Sequence, residues 1–203
     1  MTSFITDLLS ADVGIRAPMS LSTGHETPFS DLPGFLESSG VVSADPMGGR
    51  KVMLRPGDWL FGRGSLRVTA MLGASVALVM WIPRFRLGAV CCFAHPQRPG
   101  GVYGLEGAGG MYGEDAVRWM DERLDRTSCD WSDVELSLAG GAQQQDGGAG
   151  ERNIRWAQAW AADQAIEPVQ QDVGGRVLRK LSFNLADGSL TIAHGGRIGS
   201  PDV

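Results

Sequence analysis

The stretch from Leu72-Gly73-Ala74-Ser75-Val76-Ala77 through Leu87-Gly88-Ala89-Val90-Cys91-Cys92-Phe93-Ala94-His95-Pro96 decides the fold. It holds two continuous apolar runs, Val76 to Trp81 and Leu87 to Ala94, separated by Ile82-Pro83-Arg84-Phe85. Uninterrupted apolar runs of this length mark strands covered on both faces. A short break containing proline makes them an antiparallel hairpin. With the loop set at 82–85, facing positions sum to 167, so Ser75 is expected opposite Cys92. Directly opposed residues hold their Cβ atoms about 4.5–5.5 Å apart. That separation lets a nucleophile and a base share a hydrogen bond.

Outward from the hairpin, strands are expected at Val52–Leu54, Trp59–Phe61 and Leu66–Thr69, with Pro56-Gly57-Asp58 as a turn. Further strands are expected at Val134–Leu138, Ile166–Gln171, Arg179–Asn184 and Ser189–Ile192, with Asp187-Gly188 turning the last pair. Two segments carry helical spacing. One is Glu114–Leu124, through Ala116, Val117, Met120 and Leu124; the other is Glu151 to Gln164, through Ile154, Ala157 and Ala161. Two main helices among about eight strands give an α+β class with mixed or antiparallel sheets, sandwich-like, packed against the helices. The Gly-rich stretch 97–113 reads as a mobile loop. Residues 1–48 carry Ser, Thr, Pro, Gly and Asp throughout and sustain no apolar period, so they read as a flexible N-terminal extension with one short helix near Ile5–Leu9. Residues 49–203 form the folded domain.

The chain has 203 residues, 29 of them glycine, and a net charge of −5. This charge, with no basic face in the sequence, argues against nucleic-acid binding. Three cysteines, two of them adjacent, make no disulfide framework and fit a reducing compartment. No apolar run is long enough to span a bilayer, and the N-terminus has no secretion signal; a cytoplasmic protein without membrane insertion is expected. Three scattered histidines offer no metal-ligand cluster, and no cofactor is implied. Free cysteine is among the most buried residue types, so the plain reading of Cys91 and Cys92 is small apolar residues in a core strand.

Leu72-Gly73-Ala74-Ser75-Val76-Ala77, followed by the second strand ending in Cys92, resembles the catalytic hairpin of the chemoreceptor glutamine deamidases, the CheD family. That family writes Leu-Gly-Ser-Cys-Val-Ala and then Met-Ala-His-x-x-x-Pro. Laid over it without a gap, Ser75 stands at the nucleophilic cysteine, Cys92 at the general-base histidine and Thr69 at an assisting threonine. The resemblance runs over about residues 52–193. It includes Pro56-Gly57-Asp58, Trp81-x-Pro83, Tyr112 to Asp115, Leu138-Ala139-Gly140-Gly141-Ala142, Gly150-Glu151-Arg152-Asn153 and Asp172-Val173-Gly174-Gly175 with Arg179-Lys180. The paired glycines and Arg179-Lys180 read as structural, the latter as a solvated strand edge.

The resemblance implies hydrolysis of glutamine side chains of methyl-accepting chemotaxis receptors to glutamate, with Ser75, Cys92 and Thr69 as the candidate catalytic positions. In that chemistry a thiolate attacks the carboxamide carbon, ammonia leaves, and water cleaves the thioester. The alternative is a CheD-like binding protein with an impaired site, engaging receptors or a CheC-type phosphatase without turnover. Both readings stand open on the sequence, because a serine hydroxyl needs a base and Cys92 is a poor one. His95 lies three residues beyond Cys92, and strand parity turns it to the other face. Cys92 as nucleophile, or His25 or His194 arriving from a loop, are further arrangements.

Overall fold

A computed structural model of the chain describes residues 35–46, 48–101, 110–143 and 148–197. The described strands are β1 (Leu36–Ser38), β2 (Val41–Ala44), β3 (Arg50–Leu54), β4 (Trp59–Gly62), β5 (Leu66–Leu72), β6 (Val76–Ile82), β7 (Leu87–Phe93), β8 (Glu135–Gly140), β9 (Gln170–Val173), β10 (Val177–Asn184) and β11 (Leu190–Arg197). The helices are α1 (Gly113–Leu124) and α2 (Ala149–Asp163). One sheet has the order β1-β4-β7-β6-β8-β9, the other β11-β10-β5-β3-β2. Most neighbours are antiparallel, while β3–β5 and β8–β9 run parallel. The α+β sandwich expected from the sequence is the observed class.

Three layers explain the sequence pattern. Every residue of β6 and β7 is buried because the first sheet lies between the helices and the second sheet. On the helix side Val76, Leu78, Met80 and Phe93 pack with Ala116 and Met120 of α1 and Ala157 of α2. On the other side Ala77, Val79, Val90 and Cys92 meet Val68, Ala70, Leu72 and Phe183 of the second sheet. The second sheet has only one inward face, so β5 alternates between buried and more exposed positions. Trp156 stacks edge-on to Phe93 at 5.4 Å and Trp160 to Trp131 at 5.1 Å, which makes these tryptophans part of the helix-side packing.

The hairpin register differs from expectation. Val76 faces Phe93, Ala77 faces Cys92 and Ile82 faces Leu87, so facing positions sum to 169. The strands run one residue further before turning. Pro83–Phe85 form a single 3-10 turn, and Arg86 takes a left-handed φ of 48° with its N–H donating to Pro83 O at 3.1 Å. The reversal therefore occupies 83–86, and Ser75 falls two positions out of register with Cys92. Cβ atoms at such a diagonal stand about 7–8 Å apart or somewhat less, wider than a direct pair.

Two other differences have local causes. β1 and β2 lie inside the stretch 1–48 read as an extension; each is three or four residues long, and each is held by backbone pairing to β4 or β3. The expected helix near Ile5–Leu9 lies outside the described residues, as does much of the loop expected over 97–113. The strand expected from Ile166 begins only at Gln170. Ile166 instead donates its N–H to Ala161 O at 2.8 Å and closes the end of α2, after Ala165 at a φ of 55°.

Candidate functional site

Ser75 sits in the crossing Gly73–Ser75, where the chain leaves the second sheet and enters the first. All three carbonyls of that crossing accept hydrogen bonds. Ala142 N donates to Gly73 O at 2.7 Å and Gly141 N to Ser75 O at 2.8 Å. Asn153 Nδ2 donates to Ala74 O at 2.9 Å. The same Nδ2 donates to Ala94 O at 2.9 Å, just past the end of β7. One fully buried carboxamide from α2 therefore joins the start of β6 to the end of β7. Its Oδ1 is buried and unpartnered among the described residues. Gly140 stands so close to Ser75 O that a Cβ there would collide with it, and its φ of +110° suits glycine alone.

Ser75 is 6% exposed. Its Oγ makes no hydrogen bond among the described residues. Cys92 is 1% exposed, on the face of β7 turned to the second sheet. Its backbone is fixed on both sides: Cys92 N donates to Asp58 O at 3.1 Å, and Gly57 N donates to Cys92 O at 2.6 Å. Burial, with a smaller push from the Asp58 charge, raises the Cys92 thiol to about 12. Cys91 points to the helix side, where Sγ lies 3.9 Å from Ala116 O; burial raises its pKa well above the usual thiol range, with the neighbouring Cys92 adding to the rise and Arg123 opposing it. Both thiols stay neutral at ordinary pH.

Thr69 lies in the middle of β5 on the outward face of the second sheet, and its Oγ1 donates to Val52 O at 3.3 Å. The inward face of that sheet is the one that meets Cys92. His95 is exposed; its N–H donates to Met111 O at 3.2 Å and its ring lies 5.6 Å from the Tyr112 ring. His194 Nε2 lies 2.8 Å from Asp172 Oδ2. His25 lies outside the described residues. The structure thus leaves Ser75 two register positions from facing Cys92, and holds Thr69, His95 and His194 in other contacts.

Sequence reasoning did not foresee the contact between Asp172 and Arg179. Arg179 Nε donates to Asp172 Oδ1 at 2.8 Å and joins β10 of one sheet to β9 of the other. Arg179 is 3% exposed, so it is no solvated edge. The pattern Asp-x-Gly-Gly followed by Arg-Lys carried the signal, read there as structural glycines and a solvated strand edge. Burial alone would raise the Asp172 pKa. The hydrogen bonds from Arg179 and His194, with their charges, outweigh it and hold the carboxyl below its ordinary range. Asn153 was quoted only as part of a helix opening, while its side chain turned out to close the hairpin.

A three-layer sandwich whose inner hairpin is closed by the Asn153 of Gly-x-Arg-Asn, and whose sheets are joined by the Asp172 and Arg179 of Asp-x-Gly-Gly…Arg, places these motifs in one corner. The family profile described as CheD chemotactic sensory transduction matches residues 96–194. The chain is similar to the CheD family, and residues 96–194 carry the match. A probable chemoreceptor glutamine deamidase of Chromobacterium violaceum is 28% identical over 156 residues, 73% of this chain and 79% of that protein. One from Pseudomonas syringae pv. tomato is 27% identical over 157 residues, 73% of this chain and 92% of that protein. One from Archaeoglobus fulgidus is 26% identical over 152 residues, 72% of this chain and 94% of that protein. The profile match begins after Cys92, so the CheD hairpin is covered by the relatives and not by the profile. No helix among the described residues is long and apolar enough to cross a membrane.

Proposed function

We propose that this chain is a cytoplasmic chemotaxis protein that engages methyl-accepting chemoreceptors at glutamine-bearing segments and does so without hydrolysing them. The receptor assignment is supported by the relatives, which are named chemoreceptor glutamine deamidases. The lack of turnover rests on the resemblance that sets Cys92 at the position of the family's base, and is supported by its burial, 1% exposed with its thiol raised to about 12. Attack by Ser75 on a carboxamide requires its hydroxyl proton to be taken up, and a neutral thiol has no site for that proton near pH 7.

The proposed role uses the scaffold as a receptor-recognition surface, with a CheC-type phosphatase as a second partner of the same protein. The competing reading is deamidation by this chain itself, favoured by the names of the relatives. Incubation with a receptor cytoplasmic fragment separates the two. Co-sedimentation with unchanged glutamine supports binding alone, whereas conversion of glutamine to glutamate with release of ammonia overturns it.

A further inference from the structure

The outward face of the second sheet carries a diagonal apolar stripe with one residue on each of four strands. Val41 on β2 faces Met53 on β3. Met53 faces Thr69, two residues before Met71 on β5. Met71 faces Lys180, two residues after Leu178 on β10. Their exposures are 54%, 41%, 55% and 36%. Sheet faces left to water normally alternate to polar residues, so a continuous exposed stripe marks a contact surface. Lys51, Arg67 and Lys180 stand along one side of the stripe; Arg67 Nε is paired with Asp45 Oδ2 at 3.0 Å, just past the end of β2, which leaves the two lysines as its flanking cations. Lys51 and Lys180 are the only lysines of the chain, in a protein of net charge −5.

We propose that residues 1–34 of the same chain dock on this stripe through Phe4, Ile5, Leu8 and Leu9. Three observations select this occupant. The segment carries the complementary charge, with Asp7, Asp12, Glu26 and Asp31 against Arg16 alone, and Asp7 lies inside its apolar cluster. The described chain begins at Phe35, passes through β1 of the other sheet, and reaches Val41 on β2, the edge strand of this sheet, six residues later. Thirty-four residues span up to about 110 Å when extended, far more than the width of four strands at about 4.8 Å spacing. Docking is driven by apolar contact along the stripe and oriented by the flanking lysines. It covers Thr69, which faces Met53. The inference is independent of whether the Ser75 corner hydrolyses amides.

The test uses the full chain. A spin label is attached through Ser10→Cys in a Cys129→Ser background, and the methionine methyl groups carry 13C. The Met53 and Met71 methyl signals are expected to broaden strongly, and those of buried Met80 and Met120 are not. Added salt and Leu8→Glu/Leu9→Glu are each expected to restore them. Unbroadened Met53 and Met71 signals overturn the proposal. So does broadening that appears only when labelled and 13C-bearing chains are mixed, which assigns the face to a second copy. A label-free measurement covers failure of the labelled variant to fold. Peroxide oxidation of Met53 and Met71 is expected to be at least about fivefold faster in Leu8→Glu/Leu9→Glu than in the unmodified chain, because thioether oxidation follows exposure. Equal rates overturn the proposal.

Discussion

Asp172 and Arg179 join the two sheets through a single ion pair of 2.8 Å, with the arginine side chain 4% and the carboxylate 26% exposed. Removing one partner strands a buried charge. Asp172→Asn is therefore expected to lower stability by about 3 kcal/mol, read from the urea midpoint at neutral pH. The pH dependence has a definite sign. The Asp172 pKa is depressed in the folded chain, so its contribution is complete above the unfolded carboxylate range, about pH 4, and is lost as pH falls through the folded value. Unmodified protein should lose stability more steeply below about pH 4 than Asp172→Asn does. Parallel acid profiles would remove the pair from the account.

Burial of Cys91 and Cys92 predicts a simple titration. In the native chain at about pH 8 only Cys129, which is half-buried, should react promptly with a thiol reagent. The other two should react only after addition of denaturant. Prompt modification of Cys92 would show that the corner opens and would weaken the case for an idle site.

Asn153 holds Ala74 O and Ala94 O together. Asn153→Ala removes both bonds and leaves two carbonyls without partners, a loss of about 2–3 kcal/mol. Amide exchange at Val76 and Ala77 should accelerate more than at Val90. Uniform acceleration over the whole hairpin would mean that the bond pair stabilises the domain in general rather than its mouth.

Much of this corner was legible in the sequence. The apolar runs around Pro83 announced a hairpin buried on both faces; His95 lies past the end of β7, its ring against that of Tyr112. Register was beyond reach, because it depends on Arg86 adopting a left-handed backbone that no residue pattern announces at an arginine. The short strands β1 and β2 escaped notice for a related reason. Three or four residues carry too little periodicity, and their partners β4 and β3 lie elsewhere in the chain. Thr69 keeps the spacing expected from the family, yet spacing along a strand cannot reveal that its side chain lies on the outer face, bonded to Val52 O. Asn153 and Arg179 looked like helix and strand ornaments because their partners are far away in sequence.

On the proposed reading, the pair that Ser75 and Cys92 replace can be restored. Ser75→Cys with Cys92→His is expected to gain glutamine deamidation that neither single variant shows, with the small residues Ala77 and Ala139 next across the sheet from position 92. The imidazole overfills a packed layer, so Cys92→His alone should cost about 1–3 kcal/mol. Activity in Ser75→Cys alone would place the base elsewhere.

The most direct test of the central claim is mass spectrometry of a receptor cytoplasmic fragment after incubation with the unmodified chain. The account predicts a saturable complex whose glutamines keep their mass. A time-dependent glutamine-to-glutamate shift that disappears in Ser75→Ala would contradict it.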